Sequence, residues 1–229
     1  TNPKESTLIL SDFYDDIPIE GYAGNEIIIT ATGHFETPER AKGLKPVYSG
    51  GTDNTGIALS VEKNGNDIHV RCLQPITNHE GSYKLKVPES MALRIKSGCE
   101  KNASVNIQNM KNEVEVDICE NIKLRNVSGP LVLNTISGNI DVVFGELSNT
   151  RPISIAAISG EVDVTLPAKA TVNLEMTNVS GTMYSDFDFN SEHKDLQRVG
   201  GNTINAKLNG GGTDLKITNV SGNIYLRKG

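Results

Sequence analysis

One short phrase recurs along this chain: a branched aliphatic, Ser-Gly, then a brief alternating strand. It reads VSGPLVL from Val127, ISGNIDV from Ile136, ISGEVDV from Ile158, VSGTMYS from Val179 and VSGNIYL from Val220. A near-fixed repeat constrains the fold more than any local propensity, because each unit buries its apolar face only against the next. The serines, at 128, 137, 159, 180 and 221, stand 9, 22, 21 and 41 residues apart. The unit is therefore about 21 residues in two halves of about 10, each a turn plus a short strand. The last gap reads as two units, with the missing member expected at GGNTINAKL from Gly200. MKNEVEV from Met110 fits with Lys-Asn in place of Ser-Gly.

A strand residue advances about 3.3 Å and neighbouring strands lie about 4.8 Å apart. Two short strands and two turns return the chain beside its start, so each strand pairs in parallel with its equivalent one coil later. That is an all-β, single-stranded parallel β-helix, or β-solenoid. Right-handed winding is expected, since parallel crossovers are overwhelmingly right-handed. Within NIDV, EVDV and NIYL, the aliphatics Ile140, Val142, Val162, Val164, Ile224 and Leu226 alternate with polar residues. Period-two alternation puts one set inside and the other in water. The aliphatic before each Ser-Gly is expected to face inward too. Gly is expected to supply positive φ at the corner, and Ser to hold it by hydrogen bonding.

Composition agrees: aromatics are 5%, with 22 Gly and no Trp, which suits a narrow interior of Val, Ile and Leu. No apolar run is long enough for a transmembrane helix. Residues 1–90 read as irregular coils and a cap, and 91–229 as the regular repeats of the same single domain. In the first part, Glu26–Thr32, Ile57–Glu62, Asp67–Leu73 and Tyr83–Val87 read as strands. Residues 57–73 read as a hairpin across Asn64-Gly65-Asn66. Residues 33–56 read as a long loop, and 189–199 as a short helix or loop excursion.

Several stretches carry a family resemblance: VDVTLPAKATVNLEMTNVSGTMYSDFDF from Val162, LNGGGTDLKITNVSGNIYLRK from Leu208, and IEGYAGNEIII from Ile19. They resemble the DUF4097 "putative adhesins", or toastrack-like domains. GLKPV, DNTGIALSV and YKLKVP are similar to the form common in Bacteroidetes. The likeness spans about residues 15–228. It implies a β-helix and no catalytic motif. It also implies an exported, periplasmic or cell-surface protein, lipid-anchored through a segment upstream of TNPKES, or a module of envelope-stress sensing.

The residues offer little chemistry of their own. His34, His69, His79 and His193 share no short metal motif. The Ser-Gly phrases lack the first glycine and the following helix of a nucleophile elbow, and five copies suit corners rather than nucleophiles. Asp186, Asp188, Asn190 and Glu192 alternate like half a calcium loop, but Ser191 and Gln197 replace its glycine and its last glutamate. A solvated strand or loop is favoured over a metal there, and no cofactor is expected. With 22 basic against 28 acidic residues, net −6, nucleic acid is not a partner. A polysaccharide lyase or hydrolase is the enzymatic alternative, with Asp141, Glu161, Asp163 and Asp214 as exposed acids; without Trp, sugar stacking is limited. Cys99 and Cys119, 20 residues apart, suit stacked thiols in adjacent coils better than a disulfide. The leading expectation is a non-enzymatic envelope protein. Its binding face carries Asn139, Asp141, Glu161, Asp163, Asn223 and Tyr225, and its partner is an envelope glycan or surface protein.

Overall fold

The structure, a computed structural model, describes residues 2–14, 16–33, 38–44, 46–74, 81–147, 151–187 and 202–229. In chain order the strands are β1 (Thr7–Ser11), β2 (Ile17–Tyr22), β3 (Ile28–Gly33), β4 (Val47–Tyr48), β5 (Gly51–Thr52), β6 (Leu59–Asn64) and β7 (Asp67–Cys72). Then come β8 (Gly81–Pro88), β9 (Ala92–Lys96), β10 (Val105–Gln108), β11 (Val114–Ile118), β12 (Ile122–Val127), β13 (Leu131–Thr135) and β14 (Ile140–Phe144). The last are β15 (Ile153–Ser159), β16 (Val162–Leu166), β17 (Val172–Ser180), β18 (Met183–Ser185), β19 (Asn202–Leu208), β20 (Thr213–Ser221) and β21 (Ile224–Lys228). Among the described residues, helix is confined to single 3-10 turns at Pro3–Glu5, Glu39–Ala41 and Cys99–Lys101.

The strands build a ten-stranded and a nine-stranded sheet, with β4–β5 as a separate small ribbon. Pairing in the large sheets is parallel except near their ends, where β3–β8, β6–β7 and β17–β19 are antiparallel. The protein is thus all-β, mostly parallel and solenoid-like. In the ten-stranded sheet, register aligns Leu10, Ile95, Val116, Leu133, Ile155 and Ile217 into one inward column. All six are essentially solvent-free. Each such side chain contributes about 1.5–3 kcal/mol of burial.

The two chain ends do not lie at the ends of the stack. β1 sits between β7 and β9, and β2 between β8 and β10. At the other end β20 sits between β15 and β17, and β21 between β16 and β18. Each terminal segment is paired on both sides, which ties down stretches that otherwise fray. This corrects the counting of the last gap. Asn202–Leu208 is no further coil but an antiparallel edge on β17. Ser221 pairs with both Ser159 and Ser180, so the C-terminal coil is interleaved between the two.

The corner also differs from expectation. Ile136, Ile158, Val220 and Val179 are 47, 53, 42 and 54% exposed, and only Val127 is buried. Strand parity explains it. In β13, Leu131, Leu133 and Thr135 face inward, so Ile136 falls on the solvent parity of Val132 and Asn134. Val127 ends β12, at the opposite corner of the coil, where its parity is inward. The inward corner positions are Thr135, Ala157, Asn219 and Asn178, aligned by register. Asn219 Nδ2 donates to Gly160 O and Asn178 Nδ2 to Gly222 O, each at 3.0 Å, while Thr135 Oγ1 donates to Glu120 O at 2.7 Å. These side chains hold the corners. Among the serines, Ser137 Oγ does donate to Cys119 O at 3.0 Å. Gly222 has φ +126°, and a Cβ there would lie 2.0 Å from Gly160 O. Gly138 has no positive φ and is required only by close approach, its Cβ position being 2.2 Å from Glu120 O.

Cys99 and Cys119 are joined by a disulfide with Cα atoms 5.0 Å apart. The stacked-thiol expectation fails because Cys99 lies in the 3-10 turn, whose backbone lets its Cβ aim across the coil boundary as a strand would not. Cys72 is buried and free. The expected N-terminal hairpin is present, β6 pairing with β7 across Asn64 and Asp67. Within the expected long loop 33–56 lie β4 and β5, and the turn after β5 is organised by Asp53: its Oδ1 accepts from Thr55 N, Thr55 Oγ1 and Gly56 N, and Oδ2 from Ala58 N. Burial alone would raise this carboxyl, but those bonds together outweigh it and hold it below the ordinary range.

Candidate functional site

Parallel register in the nine-stranded sheet puts Asp141 beside Asp163, Asp163 beside Tyr225, and Tyr225 beside Tyr184. All four occupy the outward parity of β14, β16, β21 and β18. At the turns just before these strands stand Asn139, Glu161, Asn223 and Thr182. Backbone N–H groups link that row: Asn139 N donates to Asn121 Oδ1, Glu161 N to Asn139 Oδ1, and Thr182 N to Asn223 Oδ1, at 2.8–3.0 Å. The six residues expected on one face, Asn139, Asp141, Glu161, Asp163, Asn223 and Tyr225, therefore do share one.

Most of their polar atoms are already engaged within the chain, and the cations that engage them are Arg125 and Arg227. Arg125 holds Asp141 through two nitrogens, Nη1 to Oδ1 at 2.9 Å and Nη2 to Oδ2. Arg227 Nε donates to both oxygens of Asp163 at 2.8 and 2.9 Å, and Nη2 adds a bond at 2.8 Å. Those bonds, then the Asp163 charge itself, raise the guanidinium's affinity for its proton. Asn223 Nδ2 donates to the Tyr225 hydroxyl, which donates to Glu161 Oε1 at 3.2 Å. Such bidentate pairs fix orientation, although exposed ion pairs contribute little stability.

The aromatic part of the face is a stacked pair. The Tyr184 and Tyr225 rings lie 5.3 Å apart and 11° from parallel, with Tyr184 exposed. The Arg227 guanidinium lies 5.4 Å from the Tyr225 centroid. Tyr184, Arg125 and Arg227 were not among the residues expected. The matching phrases VSGTMYS and VSGNIYL carry the tyrosines at the same phase, but pairing them requires knowing that the last coil interleaves.

Asp214, another acid considered for an enzyme, lies on the other sheet, in β20, where it accepts from Asn173 Nδ2 at 2.9 Å. Of the calcium pattern, Asp186 Oδ1 accepts from Lys228 N at 2.7 Å, while Asp188, Asn190 and Glu192 lie outside the described residues. So do His34, His79 and His193; His69 is in β7. Among the described residues no group of three or more His, Cys, Asp or Glu could hold a metal, and no helix is long and apolar enough to cross a membrane.

The Toastrack DUF4097 family matches residues 59–227. No curated protein matches the chain. A solved "putative cell adhesion protein" from Clostridium sporogenes is similar at 11% identity and TM-score 0.45, over 100% of this chain and 96% of that one. A solved "putative adhesin" from Bacteroides fragilis is similar at 12% identity and TM-score 0.35, over 97% of this chain and 91% of that one.

Proposed function

Because this chain belongs to the Toastrack DUF4097 family, we propose that it is a non-enzymatic, adhesin-like protein of the cell envelope, exported to the periplasm or cell surface. In this reading it winds as a right-handed coil of about 21 residues per turn, and the nine-stranded sheet presents its outer face to an extended envelope glycan. The observation carrying this is the Tyr184–Tyr225 stack, its Tyr184 ring exposed and its Tyr225 ring half-buried beside Asn223, Glu161 and Asp163. An aromatic plane beside fixed amides and carboxylates meets both the apolar face and the hydroxyls of a sugar ring. The row is regular and already oriented, so binding orders few side chains. The engagement of Asp141 and Asp163 by arginines favours recognition over bond cleavage, since each carboxylate already has a bidentate ionic partner within the chain.

Envelope polysaccharides and surface proteins arrayed against the purified chain test the proposal. The expected result is retention of a polysaccharide, lost at least tenfold in Tyr184→Ala and Tyr225→Ala. Background signal on every glycan, or equal binding by both variants and the parent chain, overturns it. Released sugars on incubation overturn the non-enzymatic part.

A further inference from the structure

We infer that the opposite sheet carries a self-association face, on which two copies of this chain pack ladder against ladder. Ile158, Val220 and Val179 stand in β15, β20 and β17 and Ile136 directly follows β13, all of the ten-stranded sheet, β15 lying beside β13 and β20, and β20 beside β17. Ser159 N donates to Ile136 O at 2.9 Å, and Ser221 pairs with both Ser159 and Ser180. The four aliphatics thus form one line at about the 4.8 Å strand spacing. Each is about half exposed, although single scattered aliphatics are what an ordinary surface shows. The columns behind the line are flat and small: Asn134, Ala156, Thr218 and Thr177, aligned by register. On these four strands the charges closest to the line, Lys216 and Glu175, neutralise one another at 2.8 Å, and Asp117 of β11 stands at the margin, beside Asn134 in register.

Charge and periodicity select the occupant. The chain carries net −6, so two copies approach best where the surface is neutral. A ladder at the strand spacing is matched in period by another such ladder. A two-fold axis along the strands, between β15 and β20, sets Ile158 against Val220 of the second copy and Ile136 against Val179. It also sets Lys216 against Ser154 and Glu175 against Val132, so no like charges meet. Four strands by about five residues cover roughly 350 Å² per copy, below the roughly 800 Å² of a stable interface. The dimer is therefore weak in solution and forms where copies are crowded, as on a surface.

Sedimentation equilibrium on the purified chain, carried to about 1 mM, reads this directly. Reversible association is expected, weakened at least tenfold in Ile158→Asp/Val220→Asp and unchanged in Val47→Asp, an exposed aliphatic elsewhere. Should aspartate disturb the corner, Ile158→Thr/Val220→Thr keeps the β-branch and still weakens association several-fold. Mixing I158C with V220C is expected to give cross-linked dimer faster than either alone. A strictly monomeric chain at about 1 mM, or equal association by the ladder variants, overturns the inference, and equal cross-linking rates overturn the placement of the two-fold axis between β15 and β20. None of these readouts involves a glycan, so they stand or fall apart from the proposed function.

Discussion

Gly222→Ala puts the corner under its sharpest test. The glycine has φ +126°, a conformation L residues rarely adopt, and its Cβ would stand 2.0 Å from Gly160 O. The backbone strain alone costs about 1–3 kcal/mol. The overlap is with backbone of the neighbouring coil, so it is relieved only by spreading the strands. Spreading weakens Gly222 N to Ser180 O and Gly160 N to Ser221 O, both 3.0 Å, at about 1 kcal/mol each. The expected loss is about 3–5 kcal/mol, or a fall of about 10 °C in the thermal midpoint for a chain of this size. Two variants separate the causes. Gly43→Ala meets a φ of +83° with nothing within 4 Å, so it carries strain without overlap, about 1–2 kcal/mol. Gly138→Ala carries overlap without positive φ. Far-UV circular dichroism on heating should rank the losses Gly222→Ala, Gly138→Ala, Gly43→Ala. A midpoint for Gly222→Ala no lower than that of Gly43→Ala would refute the stacked-corner reasoning.

Reducing the Cys99–Cys119 bond, which closes a separation of 20 residues, should remove about 3 kcal/mol by the loop-entropy estimate. Heating with and without reductant checks it, and Cys99→Ser/Cys119→Ser should match the reduced protein. Asn219→Ala removes the donor to Gly160 O from a fully buried site and should cost about 1–3 kcal/mol in denaturant unfolding. The Asp53 carboxyl is held low in the folded chain, so its contribution is present above the unfolded value near ~3.9 and lost as pH falls through the folded one. Protection of the Gly56 and Ala58 amides, relative to their intrinsic exchange rates at each pH, should fall on that acid side only, and Asp53→Asn should abolish the dependence.

The alternating aliphatics of NIDV, EVDV and NIYL and the 22-residue spacing of Asp141 and Asp163 made the parallel coil and its polar row legible, because parallel register converts equal phase into adjacency. Asn139, Asp141, Glu161, Asp163, Asn223 and Tyr225 were expected on a binding face from their exposure alone, and it is this register that sets Asp141 beside Asp163 and Asp163 beside Tyr225. Three features were decided only by the tertiary structure. The order of coils was one: periodicity states that units stack, not which unit is neighbour to which, and interleaving of the C-terminal coil is what pairs Tyr184 with Tyr225. The inward side of the corner was another: a Val or Ile before Ser-Gly suggests core, as holds for Val127, but the parity inherited from the strand puts Asn178 and Asn219 inside and Ile136, Ile158, Val179 and Val220 in water. The Cys99–Cys119 bond was the third, since a 3-10 turn rather than a strand sets the direction of Cys99. The repeat determines the kind of stack, while hydrogen bonding between segments distant in sequence selects the neighbours.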